Sequence, residues 1–260
     1  MIAEMAHEQY DIRTLEACTL VSPTWRSASR RTVFRKIHVT DEQRLEALAT
    51  LLSTDHSIRP LVRSLVFRAD SSRAVPSRGW ISKLPTELPT LLPNLLTLEF
   101  IGVREWFAPG DPPAAALSSF RDFTSVRRLV LHGCAVTPCL LSALSSALPS
   151  VSELFISYVH IPRRPPSPAA MLCPGTPRGP SLVALELDVG HIFSCALQRI
   201  LAWLFATPSC ATLRCLTLTL RASDAEAAGR FVQAVGPHLE ELDLRFEEYF
   251  GLPLETASKS

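Results

Sequence analysis

Seven times along the chain an apolar residue is followed, after two variable positions, by a leucine and then, two residues on, by another apolar side chain. The copies are Val62-Arg-Ser-Leu65-Val-Phe67, Leu95-Leu-Thr-Leu98-Glu-Phe100, Val126-Arg-Arg-Leu129-Val-Leu131, Val151-Ser-Glu-Leu154-Phe-Ile156, Leu182-Val-Ala-Leu185-Glu-Leu187, Leu213-Arg-Cys-Leu216-Thr-Leu218 and Leu239-Glu-Glu-Leu242-Asp-Leu244. The central leucines stand 33, 31, 25, 31, 31 and 26 residues apart. The alternation at the end of each copy is the period of a strand with one buried face. A strand this short cannot bury that face alone, so copies at a regular spacing must stack on one another. The expected fold is therefore an α/β solenoid of about seven units over residues 58–260.

The connecting segments support that reading. Thr137-Pro138 places an N-cap before a proline at the first helical position, followed by Leu140, Leu141, Leu144 and Leu148 at helical spacing. Ser223-Asp-Ala-Glu226 reads as a capping box before Phe231, Val232 and Val235, with Gly236-Pro237 closing the helix. Ile192–Phe205 is apolar almost all round and is expected to be the most buried helix. His160–Ser181 holds seven prolines and is expected to be an extended, protease-sensitive loop, with a shorter one at Ala108–Pro113. Ahead of the units, Thr14–Cys18 and Thr24–Phe34 read as short helices and Asp41–Leu52 as a third, with Thr40 as its N-cap. These make residues 1–57 a separate helical module with a boundary near 53–60.

The third unit carries the longest pattern, Val126-x-x-Leu129-x-Leu131-x-x-Cys134-x-Val136. It resembles a leucine-rich repeat, with Cys134 where such repeats place asparagine or cysteine. The resemblance implies a horseshoe with parallel strands on its concave face, helices and loops on its convex face, and a turn side chain bonded to neighbouring coils. Elsewhere that position holds Asp70, Val103, Val159, Gly190 and Glu247, so the array is expected to be irregular.

Near the start, Leu15, Cys18, Leu20, Val21, Trp25, Phe34 and Ile37 match a Leu…Cys-x-Leu-Val-x-x-x-Trp…Phe-x-x-Ile string. This resembles the second half of an F-box as found in fungal F-box proteins with degenerate leucine-rich repeats. The family's opening Leu-Pro pair has no counterpart in Met1-Ile-Ala-Glu-Met5, so the F-box is expected to be truncated at its start. The resemblance implies that Leu15, Leu20, Val21 and Trp25 dock a Skp-type adaptor. The repeats would then receive a protein substrate, making the chain the substrate-recognition subunit of a Skp–cullin–F-box ubiquitin ligase. The alternative is a repeat scaffold with no ligase link; activation of a GTPase is a third reading, for which no catalytic arginine or asparagine loop stands out. Trp25 and Leu20 are also expected to anchor the N-terminal helices to one another.

Composition narrows the chemistry. Lys and Arg number 26 against 25 Asp and Glu, so no global field recruits nucleic acid or an anionic membrane. No apolar run is long enough to span a bilayer, and Met1–Tyr10 lacks the apolar stretch of a secretory signal. Seven cysteines without a Cys-x-x-Cys pair read as reduced thiols in the cytoplasm or nucleus, with Cys134, Cys139, Cys210 and Cys215 expected as buried thiols on apolar repeat positions. Motifs for hydrolase, zinc-protease, dinucleotide or phosphate-loop chemistry are missing, so a binding protein without catalytic residues, metal or cofactor is expected. Strand alternation sends the residues flanking each central leucine outward. Among them Arg128, Phe155, Glu186, Asp188, Glu241 and Asp243 are the substrate-binding candidates, with Glu241 and Asp243 expected level with Glu186 and Asp188 two strands away.

Overall fold

The repeated leucines line one side of a single sheet. A computed structural model of the chain describes residues 20, 22–69, 81, 84–104, 106, 117–158, 179–188 and 194–246. Eight strands are found among them: β1 (Lys36–Val39), β2 (Ser64–Arg68), β3 (Thr97–Ile101), β4 (Arg128–His132), β5 (Glu153–Ser157), β6 (Ala184–Asp188), β7 (Cys215–Leu220) and β8 (Glu241–Phe246). They lie side by side in chain order, and all seven pairings are parallel. The register places Leu65, Leu98, Leu129, Leu154, Leu185, Leu216 and Leu242 in one column. Ile37 of β1 heads it.

A backbone device holds the coils in that register. The Arg35 carbonyl accepts from both Arg63 N and Ser64 N at 2.9 Å. The carbonyls of Arg63, Leu96, Arg127, Ser152, Val183 and Arg214 each accept likewise from two successive amides of the next coil. The two variable residues of each copy are therefore where one coil is tied to the next. Their side chains are free to vary because their main chain makes the bond.

From β2 to β7 the column and its neighbour, Phe67, Phe100, Leu131, Ile156, Leu187 and Leu218, pack into one core with the helices. These are α1 (Pro23–Val33), α2 (Glu42–Thr54), α3 (Leu88–Leu91), α4 (Pro138–Ala147), α5 (Ser194–Phe205), α6 (Ser209–Thr212) and α7 (Ala225–Val235). From β2 to β7 no central leucine is more than 4% exposed. Each contributes about 1.5–3 kcal/mol through burial. The described residues of the crossover between β3 and β4 include a 3₁₀ turn at Ser118–Phe120, and aromatic rings pack there. Phe67 stacks on Phe100 at 5.2 Å between centroids, and Phe100 meets Trp106 at 4.8 Å. Trp106 Nε1 donates to the Ala135 carbonyl at 2.8 Å. The result is an open parallel sheet flanked by helices, a solenoid-like α/β architecture.

The sheet begins at Lys36, and α2 is the return segment between β1 and β2. Several local expectations are corrected. Asp41, not Thr40, caps α2: its carboxylate accepts from Arg44 N at 2.9 Å, and Thr40 Oγ1 donates to Asp41. The aspartate is the charged acceptor and the stronger cap. Thr137 caps α4 as expected, with Pro138 at the first helical position. No capping box forms at Ser223: a 3₁₀ turn at Ala222–Asp224 leads into α7, whose cap makes no side-chain bond. Helix α5 is buried on one side only. Gln198, Arg199, Ala202 and Phe205 form an exposed stripe, at spacings that place them on one helical face. The helix expected at Thr14–Cys18, the Ala108–Pro113 loop and nearly all of the proline-rich segment lie outside the described residues.

Candidate binding face

Opposite the helices, each strand presents its alternate side chains on the open side of the sheet. The six candidate residues all lie there, in three rows fixed by the register. Arg128, Glu153, Ala184, Cys215 and Glu241 share one row; Val130, Phe155, Glu186, Thr217 and Asp243 share the next; His132, Ser157, Asp188, Thr219 and Arg245 share the third. Glu186 is therefore level with Asp243 and not with Glu241, which corrects the pairing expected from sequence. Asp188 is level with Arg245.

The centre of the face is built from Arg128 and Phe155. Diagonal neighbours on β4 and β5 are within reach of long side chains, and the Arg128 guanidinium carbon lies 3.8 Å from the Phe155 ring centroid. Arg128 Nε is also 4.0 Å from Glu153 Oε2, so the cation is held over the ring from one side. A cation in this position is attracted by the ring quadrupole, worth about 0.5–1 kcal/mol where exposed. Glu186 flanks the same ring on β6.

Toward β8 the acidic row is interrupted. Arg245 Nε bonds Asp243 Oδ2 at 2.9 Å. This hydrogen bond and ion pair, with the fields of Glu186 and Asp188 behind it, raise the Arg245 guanidinium above its ordinary pKa. The four expected carboxylates thus do not act as one stripe: Asp243 is neutralised, while Glu186 stays next to the aromatic platform.

Toward β1 the face is closed by a pair outside the six candidates, one of whose members, Lys36, was not expected on the sheet. Lys36 Nζ lies 3.2 Å from Glu99 Oε2, reaching from β1 across β2 to β3. Beneath that bridge Val66, on the open side of β2, is fully buried. The sequence signal for β1 was present as Phe34-x-x-Ile37-x-Val39, the same spacing with isoleucine in place of leucine.

At the upper end of β3, β4 and β5 the chain turns through the left-handed region at Gly102 (φ +69°), Gly133 (φ +62°) and Tyr158 (φ +52°). Two coils use glycine there because it meets no Cβ penalty; the third places a tyrosine, at a backbone cost. The Tyr158 ring lies against His132 at 5.1 Å, and His132 Nδ1 is 2.8 Å from Ser157 Oγ. Cys134, in the adjoining turn, donates to the Phe100 carbonyl at 3.2 Å. Burial pushes its thiol up to about 12, so it is an inert turn bond. Cys215, expected on a buried repeat position, stands on the open face, where partial burial and then Glu241 and Glu240 raise its thiol.

Of the adaptor-docking candidates, Leu15, Val21 and the Trp25 side chain lie outside the described residues. Leu20 is 83% exposed, so it does not anchor the helices internally as expected. Nearby, α1 and the turn after α2 border a cleft of about 320 Å³ lined by Arg26, Arg30, Arg31 and Ser57. Arg30 is committed there to Asp55 at 2.7 Å. Among the described residues no group of three or more His, Cys, Asp or Glu side chains can hold a metal ion. No helix among them is long and apolar enough to cross a membrane.

Compared with models of known protein families the chain matches none, and no characterised protein matches it in sequence.

Proposed function

We propose that the chain is a leucine-rich-repeat receptor for a protein substrate, working as the substrate-recognition subunit of a Skp–cullin–F-box ubiquitin ligase. The observation that carries the receptor half is the Arg128–Phe155 platform, an exposed arginine over a half-buried ring at the middle of a register-locked sheet face. Aromatic and arginine side chains are the residues around which protein interfaces concentrate their energy. In this reading an extended partner segment crosses the strands over Phe155. Glu186 and Asp188 select a Lys or Arg on that segment, and Glu241 sits at the far end. The catalytic transfer of ubiquitin belongs to other subunits.

The adaptor half rests on the F-box-like string and on Leu20, a large apolar side chain left to solvent as a docking residue would be. Titration of the chain with a purified Skp-type adaptor tests it. Binding is expected, and Leu20→Asp is expected to weaken it at least about tenfold, the loss of one buried anchor. Failure of the unaltered chain to bind leaves the repeat scaffold without a ligase link. The receptor half is tested on arrays of extended peptides: Phe155→Ala is expected to abolish retention of Lys- and Arg-containing sequences. Unchanged retention would move the binding surface elsewhere.

A further inference from the structure

At every strand from β2 to β7 the central leucine is buried, but at β8 the pattern breaks. Leu242 is 45% exposed, Leu244 42% and Phe246 58%, all on the helix side of the sheet where their counterparts are covered. The outer edge of β8 is also unpaired among the described residues. The two ends of the sheet differ in this respect. β1 has four residues and carries Lys36, the kind of short, charged edge that resists further pairing. β8 has six residues, Glu241-Leu-Asp-Leu-Arg-Phe246, with neither lysine nor proline.

The geometry points to a second copy of this chain as the occupant of that edge: we propose that two molecules pair β8 against β8, antiparallel, about a two-fold axis through Leu244. The register follows from hydrogen bonding and charge. Glu241 N donates inward to Arg214, so in a parallel ladder the alternate residues Leu242, Leu244 and Phe246 turn their main-chain groups outward. Antiparallel pairing of outward groups allows Leu244 to face Leu242, Leu244 or Phe246 of the second copy. The first would set Asp243 against Asp243 and the last Arg245 against Arg245. The second alone opposes no like charges within β8: it sets Leu244 on Leu244, Leu242 on Phe246, and Asp243 on Arg245, twice by symmetry. Directly opposed side chains lie about 4.5–5.5 Å apart between Cβ atoms. The Asp243–Arg245 pair already formed within each strand then becomes an alternating cluster of four charges. On the other side of the sheet the exposed apolar side chains cover one another.

Sedimentation of the full chain and its charge variants tests this. The unaltered chain is expected to dimerise reversibly. Asp243→Arg places four arginines together and Arg245→Asp four aspartates, so each alone is expected to raise the dissociation constant at least about tenfold. Mixed in equal amounts, the two variants restore every opposed pair, and a dimer is expected to return. Should either fail to fold by circular dichroism, Leu244→Lys, exposed and on the two-fold axis, replaces it and is expected to be monomeric. A chain that stays monomeric at every concentration overturns the proposal. So do single variants that remain dimeric, or a mixture that does not associate. A dimer that appears only after residues 247–260 are removed would make that segment the occupant and overturns it equally.

Discussion

Leu98 and Leu242 occupy the same position of their units and the same column of the sheet, so truncating each to alanine isolates the effect of burial. Leu98 is fully buried between β2 and β4, whereas Leu242 is 45% exposed on the last strand. Leu98→Ala removes the transfer free energy of the lost carbons and leaves a cavity walled by neighbouring coils, for about 2–5 kcal/mol in all. Leu242→Ala loses roughly half the burial of one leucine, about 1 kcal/mol, and leaves no cavity because the space opens to solvent. In thermal terms that is a fall of roughly 4–20 °C against about 2–4 °C. Urea unfolding followed by far-ultraviolet circular dichroism, at protein concentrations below any self-association, measures both. The comparison holds while the urea dependence stays the same between variants, since a repeat array can otherwise unfold in steps. Equal losses at the two positions would refute the reasoning, because they would require Leu242 to be as covered in the monomer as Leu98.

Tyr158→Gly is expected to raise stability by up to about 1 kcal/mol by relieving the left-handed backbone, less the ring contact with His132; a lower urea midpoint would show that contact to dominate. The Cys134 thiol keeps its proton to about 12 when folded but to its ordinary 9.0 when unfolded, so the folded state holds the extra proton between those values. Stability should therefore fall as pH rises above 9, by up to about 1.4 kcal/mol per unit, and Cys134→Ala should flatten that slope in denaturation at pH 8 to 11. Burial raises the Asp224 carboxyl, and its Oδ2 has no partner, so the ionised form is disfavoured in the folded chain. Asp224→Asn should stabilise by about 1 kcal/mol at pH 7 and by less as pH falls and the native carboxyl takes up its proton; loss of stability at pH 7 would contradict this.

The repeating fold was legible because its information is concentrated in one spacing. Leucine in the fourth position of each copy set the column, and alternation set which side chains reach the open face. Every one of the six candidate residues lies on that face for this reason. What was hidden depended on pairs that no spacing encodes. The Lys36–Glu99 bridge spans two strand intervals and 63 residues of chain, and it closes the face over Val66. The Asp243–Arg245 pair is close in sequence, yet two side chains two residues apart interact only once both are fixed on one face of a strand. The isoleucine copy at β1 was obscured differently: Phe34 and Ile37 also belong to the F-box-like string, so the same residues supported a helical module and a first coil. The structure joins the two. Helix α1 leads directly into β1, and the Arg35 carbonyl between them starts the ladder of paired amides that runs to β8. A segment proposed to dock an adaptor from α1 would thus be joined directly to the sheet proposed to receive the substrate. In the proposed ligase that continuity matters more than affinity, because it sets where the bound substrate stands relative to the adaptor.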